Sequence, residues 1–334
     1  MSEIEVRELN ENEYNNWDKL VENSPHGTIF HSSDWLKICN ESFNKDLKLY
    51  GCFENDTLVG GCSLFVNNFK GILKFASSTC PMTPYGGIIL RQSATTKVRK
   101  QVQEQHNLVK CLCDTFSKEK FNKIYITNSA DFLDIRPFTW NNWDSSVRYA
   151  YYLNLEEDVE KNMCRNAKRN IKKTIESGVQ VEKMQDAKVF YDLTSMVYER
   201  QNLKLPVSEL FFEKVIDLLK SKNVGDMWVA KMESGEIVDS KILLWDNKRV
   251  YSWAGASNTA FMQDGFTYLL YLSIFKELND MGFKEINLMT ANVSRFTNFI
   301  TCFNPELVPY YTIYKEDNRS NILKKLSNRL DIHK

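Results

Sequence analysis

Trp228-Val229-Ala230-Lys231-Met232-Glu233-Ser234-Gly235-Glu236-Ile237-Val238-Asp239 reads as a strand, a polar turn and the start of a second strand. The chain holds the same arrangement earlier, as Leu49-Tyr50-Gly51-Cys52-Phe53-Glu54-Asn55-Asp56-Thr57-Leu58-Val59-Gly60. The second arm opens on Ile-Val in one copy and Leu-Val in the other. Farther on, Phe121-Asn122-Lys123-Ile124-Tyr125-Ile126 parallels Phe283-Lys284-Glu285-Ile286-Asn287-Leu288, and each follows a long helical pattern. One order of elements used twice marks a duplicated unit. Two copies of one α/β unit account for 334 residues, where a single domain usually holds about 150.

Working outward, the first copy opens with a strand at 6–9 and a capping box, Asn10 with Glu13, before Tyr14, Trp17, Leu20 and Val21 at helical spacing. Ser33 or Asp34 is placed to cap a second helix carrying Trp35, Ile38 and Cys39. The hairpin arms at 47–53 and 58–65 follow, then a Pro/Gly stretch (80–87), a helix over 95–118 and a strand at 123–127. The second copy reads as a strand at 150–155, a basic helix over 156–177 stopped by Gly178, and a strand at 179–182. Helices at 186–203 and 208–221 come next, then strands at 226–232, 237–245 and 249–255. A helix (265–280), a strand (284–288), a short helix (292–300) and a strand (308–314) finish it.

Lys+Arg and Asp+Glu number 43 each, so the chain has no global pull toward polyanions, and an anionic partner must be met by a local patch. The first residues are acidic and lack the apolar stretch of a leader, and no apolar run approaches the ~18 residues of a membrane span. The eight cysteines form no Cys-x-x-Cys pair and are expected as reduced, mostly buried thiols, with no metal site. The expected location is the cytoplasm. No Ser/His/Asp triad, Gly-x-Ser-x-Gly, P-loop or Rossmann pattern is present.

The unit's order is strand, helix pair, antiparallel hairpin, strand, helix, strand. It resembles the GNAT acyltransferase fold, and two such units in one chain resemble the FemABX group. The likeness rests on Phe30-His31-Ser32-Ser33-Asp34-Trp35-Leu36, on Pro84-Tyr85-Gly86-Gly87, and on the basic run Arg165 to Lys173 leading to Gly178-Val179. Tyr198-Glu199-Arg200-Gln201 and Gly255-Ala256-Ser257 before Gly265 add to it. The resemblance implies an α/β (α+β) protein of two tandem GNAT-like domains, each a mixed, mostly antiparallel sheet flanked by helices. Residues 1–148 form the first and 149–314 the second, with 315–334 packing on the first. Two departures stand out. Phe299-Ile300-Thr301-Cys302-Phe303 has isoleucine where the group's Phe-Lys-x-x-Phe pattern carries the lysine implicated in its chemistry. The pyrophosphate loop is degraded to Phe261-Met262-Gln263-Asp264-Gly265-Phe266.

Candidate residues each carry a plain structural alternative. Lys161, Arg165, Lys168 and Lys172 fall on one helical face, beside Arg169 and Lys173, opposite an apolar stripe of Cys164, Ala167, Ile171 and Ile175. They read as an anion-binding wall or as a solvated face. Arg200 ends a helix and reads as a phosphate clamp or a favourable charge at the helix terminus. Gln263, Asp264 and Gly265 open a helix, and with Ser257 form the donor-binding candidates; a simple N-cap at Asp264 is the alternative. Trp35, Tyr85, Tyr251 and Trp253 line an acceptor cleft between the two halves or pack in the cores, Tyr251 and Trp253 sharing a strand face. His31 reads as structural, and no residue stands out as general base.

The resemblance implies an N-acyltransferase that moves an acyl group from a thioester donor to an amine on a cell-envelope precursor or amino sugar. Acyl-CoA serves as co-substrate, with no permanently bound cofactor. One alternative is an aminoacyl-tRNA-dependent peptidyl transferase of the peptidoglycan-bridge type, with tRNA as partner. Another is a non-catalytic binding protein on the same fold. Expected partners are a small-molecule, nucleotide-sugar or lipid-linked substrate, with peripheral contact at the inner membrane face, no DNA, and a monomeric state.

Overall fold

Strand β1 (Ile4–Glu8) runs into the capping box, which closes in both directions. Asn12 N–H donates to Asn10 Oδ1 (3.1 Å) and Asn10 N–H to Glu13 Oε2 (3.0 Å). The box starts a 3-10 turn, Glu11–Glu13, that continues into helix α1 (Tyr14–Asn23). In α2 (Ser33–Phe43) the cap is one residue earlier than the sequence reading places it. Ser32 is extended and its Oγ accepts from Trp35 N–H (3.3 Å), while Ser33 N–H and Oγ donate to Asp18 (2.7 and 2.6 Å). Both hydroxyls suit a cap, and only the tertiary contact with Asp18 separates them.

A computed structural model of the chain describes residues 3–69, 71–261 and 264–317, and of Asp264 the backbone alone. The chain divides into Met1–Arg148 with Tyr310–Lys334, and Tyr149–Pro309. Of the segment 315–334 expected to pack on the first domain, residues 318–334 lie outside the described residues.

The first unit builds its sheet from the predicted hairpin, β2 (Asp46–Glu54) and β3 (Thr57–Phe69). Asn55 and Asp56, both in the left-handed region (φ 47° and 63°), make the two-residue turn that matches strand twist. Then come β4 (Leu73–Ser77), β5 (Ile88–Leu90), α3 (Val98–Lys118), β6 (Lys123–Thr127) and the short α4 (Arg136–Thr139). The order β1-β2-β3-β4-β6 is completed by β13 (Glu306–Glu316), with β5 beside β3. All pairs are antiparallel except β4–β6. Leu108, Val109, Leu112, Cys113 and Phe116 of α3 repeat at helical spacing and cover this sheet. The sequence reading misses β4 and β5: they are short, and β5 follows the Pro/Gly stretch that hides its apolar run.

The second unit contains β7 (Asp144–Asn154), α5 (Val159–Asn162), α6 (Arg165–Glu176), β8 (Gln180–Lys183), α7 (Ala187–Arg200) and α8 (Glu209–Lys222). These are followed by β9 (Gly225–Lys231), β10 (Ile237–Trp245), β11 (Val250–Ser257), α9 (Asp264–Asp280), β12 (Glu285–Asn287) and α10 (Ser294–Ile300). Its sheet runs β7-β12-β11-β10-β9-β8, antiparallel throughout except β11–β12. Helix α9 is buried almost all round, from Phe266 to Leu278, and Trp228 Nε1–H ties it to the sheet through Glu277 (2.7 Å).

Two readings of the basic helix are corrected. It is not continuous: Met163 and Cys164 are extended, so Lys161 belongs to α5 and Arg165 opens α6. The break arises because Cys164 N–H is taken by the carbonyl of Cys302 (2.9 Å) and its Sγ accepts from Ala167 N–H (3.4 Å). The stripe facing the core is Cys164, Ala167 and Ile171, joined by Thr174 in place of Ile175, which is 57% exposed. Thr174 can be buried because its hydroxyl donates to the carbonyl of Asn170 (2.9 Å).

Candidate functional site

The parallel pairing of β11 with β12 lasts only two rungs, Val250↔Ile286 and Tyr251↔Asn287. Strand β11 then continues to Ser257 with β10 on one edge and no strand of the described residues on the other. The chain leaves β12 because Met289 is left-handed (φ 64°), with its N–H donating back to Asn287 Oδ1 (2.8 Å). The buried Asn287 and the nearby Asn292 fix that exit. Asn292 takes up both backbone groups of Tyr149, accepting from N–H (3.0 Å) and donating to C=O (2.8 Å). A β-bulge lies across from Leu243, where the β10–β11 register shifts between Ile242 and Leu244. Bulges re-aim side chains. Ser252 meets Tyr271 of α9, while Trp253 packs on Phe211 and Phe212 of α8.

On the α9 side of these strands lies a cluster of charged and hydroxyl groups. Asp239 has no exposed surface. Its Oδ1 accepts from Ser240 N–H (2.8 Å) and Ser257 Oγ–H (3.2 Å), and its Oδ2 accepts from Thr267 Oγ1–H. Burial is the largest influence on this carboxyl and pushes it above the usual aspartate range, against the pull of Lys241 and the hydrogen bonds. Two residues along, on the same strand face, Lys241 extends its Nζ to 5.1 Å from the centre of the Tyr271 ring. Burial alone would lower the ammonium, but Tyr271 and Asp239 outweigh it and hold it above the ordinary lysine value. Gly255 stands opposite Lys241 in the ladder, and a Cβ there would lie 2.1 Å from Nζ. The glycine therefore leaves the space the ammonium occupies. The Tyr271 and Ser252 hydroxyls are 2.9 Å apart, a path for a proton. A buried cation beside a strand edge that no other strand of the described residues covers suits developing negative charge on an oxygen or sulfur.

Of the described residues singled out in the sequence, Ser257 alone joins this cluster. Gly265 is buried at the start of α9, where a Cβ would stand 2.1 Å from Thr174 Oγ1, so close packing of α9 on α6 accounts for the glycine. Gln263 lies outside the described residues. Asp264 begins α9. Tyr251 is buried and donates to Asp246 Oδ2 (2.9 Å). Trp35 and Tyr85 are core residues of the first unit. Trp35 Nε1–H donates to Thr83 Oγ1 (3.1 Å), and Tyr85 makes edge contacts with Phe30 and Tyr310. His31 is buried with its Nδ1 accepting from Thr28 N–H (3.1 Å), a structural role. Ile300 is 2% exposed within the apolar core of the second unit, so this position holds no charge.

Lys161, Arg165, Arg169, Lys172 and Lys173 are exposed, and Lys168 is half-buried. Lys168 donates to the carbonyl of Lys161 (2.7 Å), and Arg169 donates to Asn166 (2.8 Å). Arg200 is exposed at the last position of α7, and its neighbour Gln201 accepts from Arg295 (2.6 Å).

Sequence reasoning passes over Asp239, Lys241, Ser252, Thr267 and Tyr271. A signal for two of them was present. Ile237-Val238-Asp239-Ser240-Lys241-Ile242-Leu243-Leu244-Trp245 sets two opposite charges at period two inside an apolar strand run. A buried strand tolerates charges only when they are partnered.

Residues 161–296 match the family model of the acetyltransferase (GNAT) domain. No curated protein matches the chain. Among solved structures, the chain is similar to FemX, with 11% identity and a TM-score of 0.65 over 92% of this chain and 96% of that one. It is similar to the C-terminal domain of a putative lysylphosphatidylglycerol synthetase from Agrobacterium fabrum, at 11% identity and TM-score 0.59 over 96% of each. A tandem GNAT protein from the clavulanic acid biosynthesis pathway shares 10% identity, with TM-score 0.57 over 94% of this chain and 98% of that one. At these identities the likeness is one of fold, and the fold is a tandem GNAT arrangement. Together with the acetyltransferase domain in the second unit, it supports a transferase of the GNAT type.

Proposed function

We propose that the chain is an N-acyltransferase that moves an acyl group from a thioester, an acyl-CoA, to an amine, with the second unit as its catalytic half. The observation that carries this reading is the edge of β11 beyond Tyr251, which no strand of the described residues covers and which lies beside Lys241 and the Tyr271–Ser252 hydroxyl pair. An extended donor arm with amide groups pairs along such an edge as an added strand would. The acyl carbonyl then lies near the Lys241 ammonium. The amine attacks that carbonyl, a C–N bond forms, and the C–S bond breaks with the electron pair leaving on sulfur. The proton released by the amine reaches the thiolate, with the Ser252–Tyr271 pair as the path. Asp239, buried and held by three donors, positions Ser257 and Thr267 rather than exchanging protons. The acceptor belongs to the class of amines on cell-envelope precursors or amino sugars, and the protein acts as a cytoplasmic monomer.

One observation favours a second donor, an aminoacyl-tRNA. Arg165, Arg169, Lys172 and Lys173 of α6 are exposed, and among the described residues the one salt bridge they make is a 4.0 Å contact of Lys172 with Glu176. Such a face suits a polyanion. Calorimetric titration with CoA at low and moderate salt tests the first reading: saturable binding that persists with salt supports it. No binding at either salt removes it, and transfer from charged tRNA then decides for the second donor.

A further inference from the structure

Cys164 and Cys302 are 138 positions apart in sequence, yet their Sγ atoms are 2.6 Å apart and Cys164 N–H donates to the Cys302 carbonyl (2.9 Å). Cys164 caps α6, and Cys302 lies in the 3-10 turn Thr301–Phe303 that follows α10. Both are half-buried, so a small oxidant reaches them. We propose that these two thiols are a redox modification site: peroxide converts them to a reversible disulfide that fastens the α10 turn to the start of α6.

Position and environment set Cys164 apart as the attacking thiol. Its Sγ accepts from Ala167 N–H (3.4 Å) at a helix N-terminus, with Lys168 one turn on. Burial alone would raise this thiol, but the Cys302 thiol, the N–H groups of Ala167 and Asn166, and the Lys168 charge outweigh it and lower it below the ordinary cysteine value. Cys39, Cys52, Cys62 and Cys113 are buried, and burial raises all four thiols, Cys113 to about 12. Cys39 and Cys80 both reach Thr83 Oγ1 (3.3 and 3.1 Å), but Cys39 has no exposed surface for an oxidant to reach.

The step balances. The Cys164 thiolate attacks one peroxide oxygen, the O–O bond breaks, and hydroxide leaves to become water. The Cys164 sulfenic acid is then attacked by the Cys302 sulfur. The S–S bond forms, the S–O bond breaks, and the Cys302 proton leaves with that oxygen as a second water. Two thiols lose two electrons, and peroxide becomes two waters.

The test treats the reduced, folded full-length protein with hydrogen peroxide, removes the peroxide, unfolds the protein in guanidinium chloride containing iodoacetamide to block every remaining thiol, and maps peptides by mass spectrometry without reduction. The expected result is a Cys164–Cys302 linked peptide with six alkylated cysteines, lost on adding dithiothreitol. Closing so long a loop raises Tm by about 10 °C relative to the reduced protein. In Cys302→Ser, Cys164 is instead trapped as a sulfenic acid by dimedone, and Tm does not move on oxidation. The proposal is overturned if both cysteines remain alkylatable at peroxide levels that oxidise methionine, or if the linked peptides join other cysteines.

Discussion

The two units resolve the same parting of parallel strands in opposite ways. In the first, β4 and β6 pair through Phe75↔Lys123, Ala76↔Ile124 and Ser77↔Tyr125, and the chain beyond folds back into the gap. Ser78 Oγ accepts from Thr127 N–H (2.9 Å), Gly86 N–H donates to the Thr127 carbonyl (3.1 Å), and Ile88 N–H donates to Asn128 Oδ1 (2.9 Å). Trp35, Tyr85 and Thr83 seal the surroundings. In the second unit no strand of the described residues pairs with β11 beyond Tyr251 on that edge, and Asp239 and Lys241 stand on the neighbouring β10. The first unit closes its parting with backbone and side-chain hydrogen bonds, and the second sets buried charge beside the strand that continues.

The sharpest way to break this comparison is to remove the cation. Lys241→Met keeps the volume of the side chain and is expected to lower kcat/KM by roughly 10³-fold, about 4 kcal/mol of transition-state stabilisation. Steady-state kinetics with an acyl thioester reads this. Activity within threefold of wild type would mean that the cluster is a structural feature of the second unit, as the filled gap is of the first.

Glycine substitutions sharpen it further. A Cβ at Gly86 would stand 1.8 Å from the Ser78 carbonyl oxygen, which is fixed backbone. Gly86→Ala is expected to cost about 3 kcal/mol of stability in urea unfolding, leaving the activity of the folded fraction unchanged. A Cβ at Gly255 meets the tip of the Lys241 side chain, which can move. Gly255→Ala should cost about 1 kcal/mol or less in stability but lower kcat, because the ammonium is displaced. Equal losses of stability at the two sites would erase the distinction between scaffold and site.

The smallest expected effect is a pair of opposed pH dependences. In the first unit, the Arg7 guanidinium and the Asn10 N–H hold Glu13 down at about 2, from an ordinary value of 4.5. A lowered folded value contributes stability that is present above pH 4.5 and is lost as the pH falls toward 2. Because Arg7 is exposed, solvent screening limits this to about 1 kcal/mol. Glu13→Gln should therefore be less stable than wild type at pH 7 and equal to it near pH 2. Asp239 has a raised folded value, so its contribution is complete below the ordinary aspartate range and is lost as pH rises through the folded value. Asp239→Asn should accordingly gain on wild type as pH rises. Urea midpoints across pH check both slopes, and parallel slopes would contradict the contrast.

Much of the fold was legible because its signals are local. The capping box at Asn10 and Glu13, the Asn55-Asp56 turn and the helical spacing from Leu108 to Phe116 all lie within a few residues. The site was far less legible. The period-two spacing of Tyr251 and Trp253 is visible in the chain, but the bulge between them and the packing of Trp253 on Phe211 and Phe212 of α8 are not. The basic run was visible as charge, yet its division at Cys164 depends on a carbonyl 138 positions away. Gly265 looked like a residue making room for a ligand, and it makes room for Thr174.

The sequence by itself determined the duplicated α/β plan, the two hairpins and most helix boundaries, since propensity, periodicity and capping act over a turn or two of chain. Only the tertiary structure decided that Asp239 and Lys241 form one cluster with Ser257, Thr267 and Tyr271, that the parallel pairing of β11 with β12 ends at Tyr251, and that Cys164 meets Cys302. These depend on which distant segments pack together, and burial and desolvation exist only once they have done so.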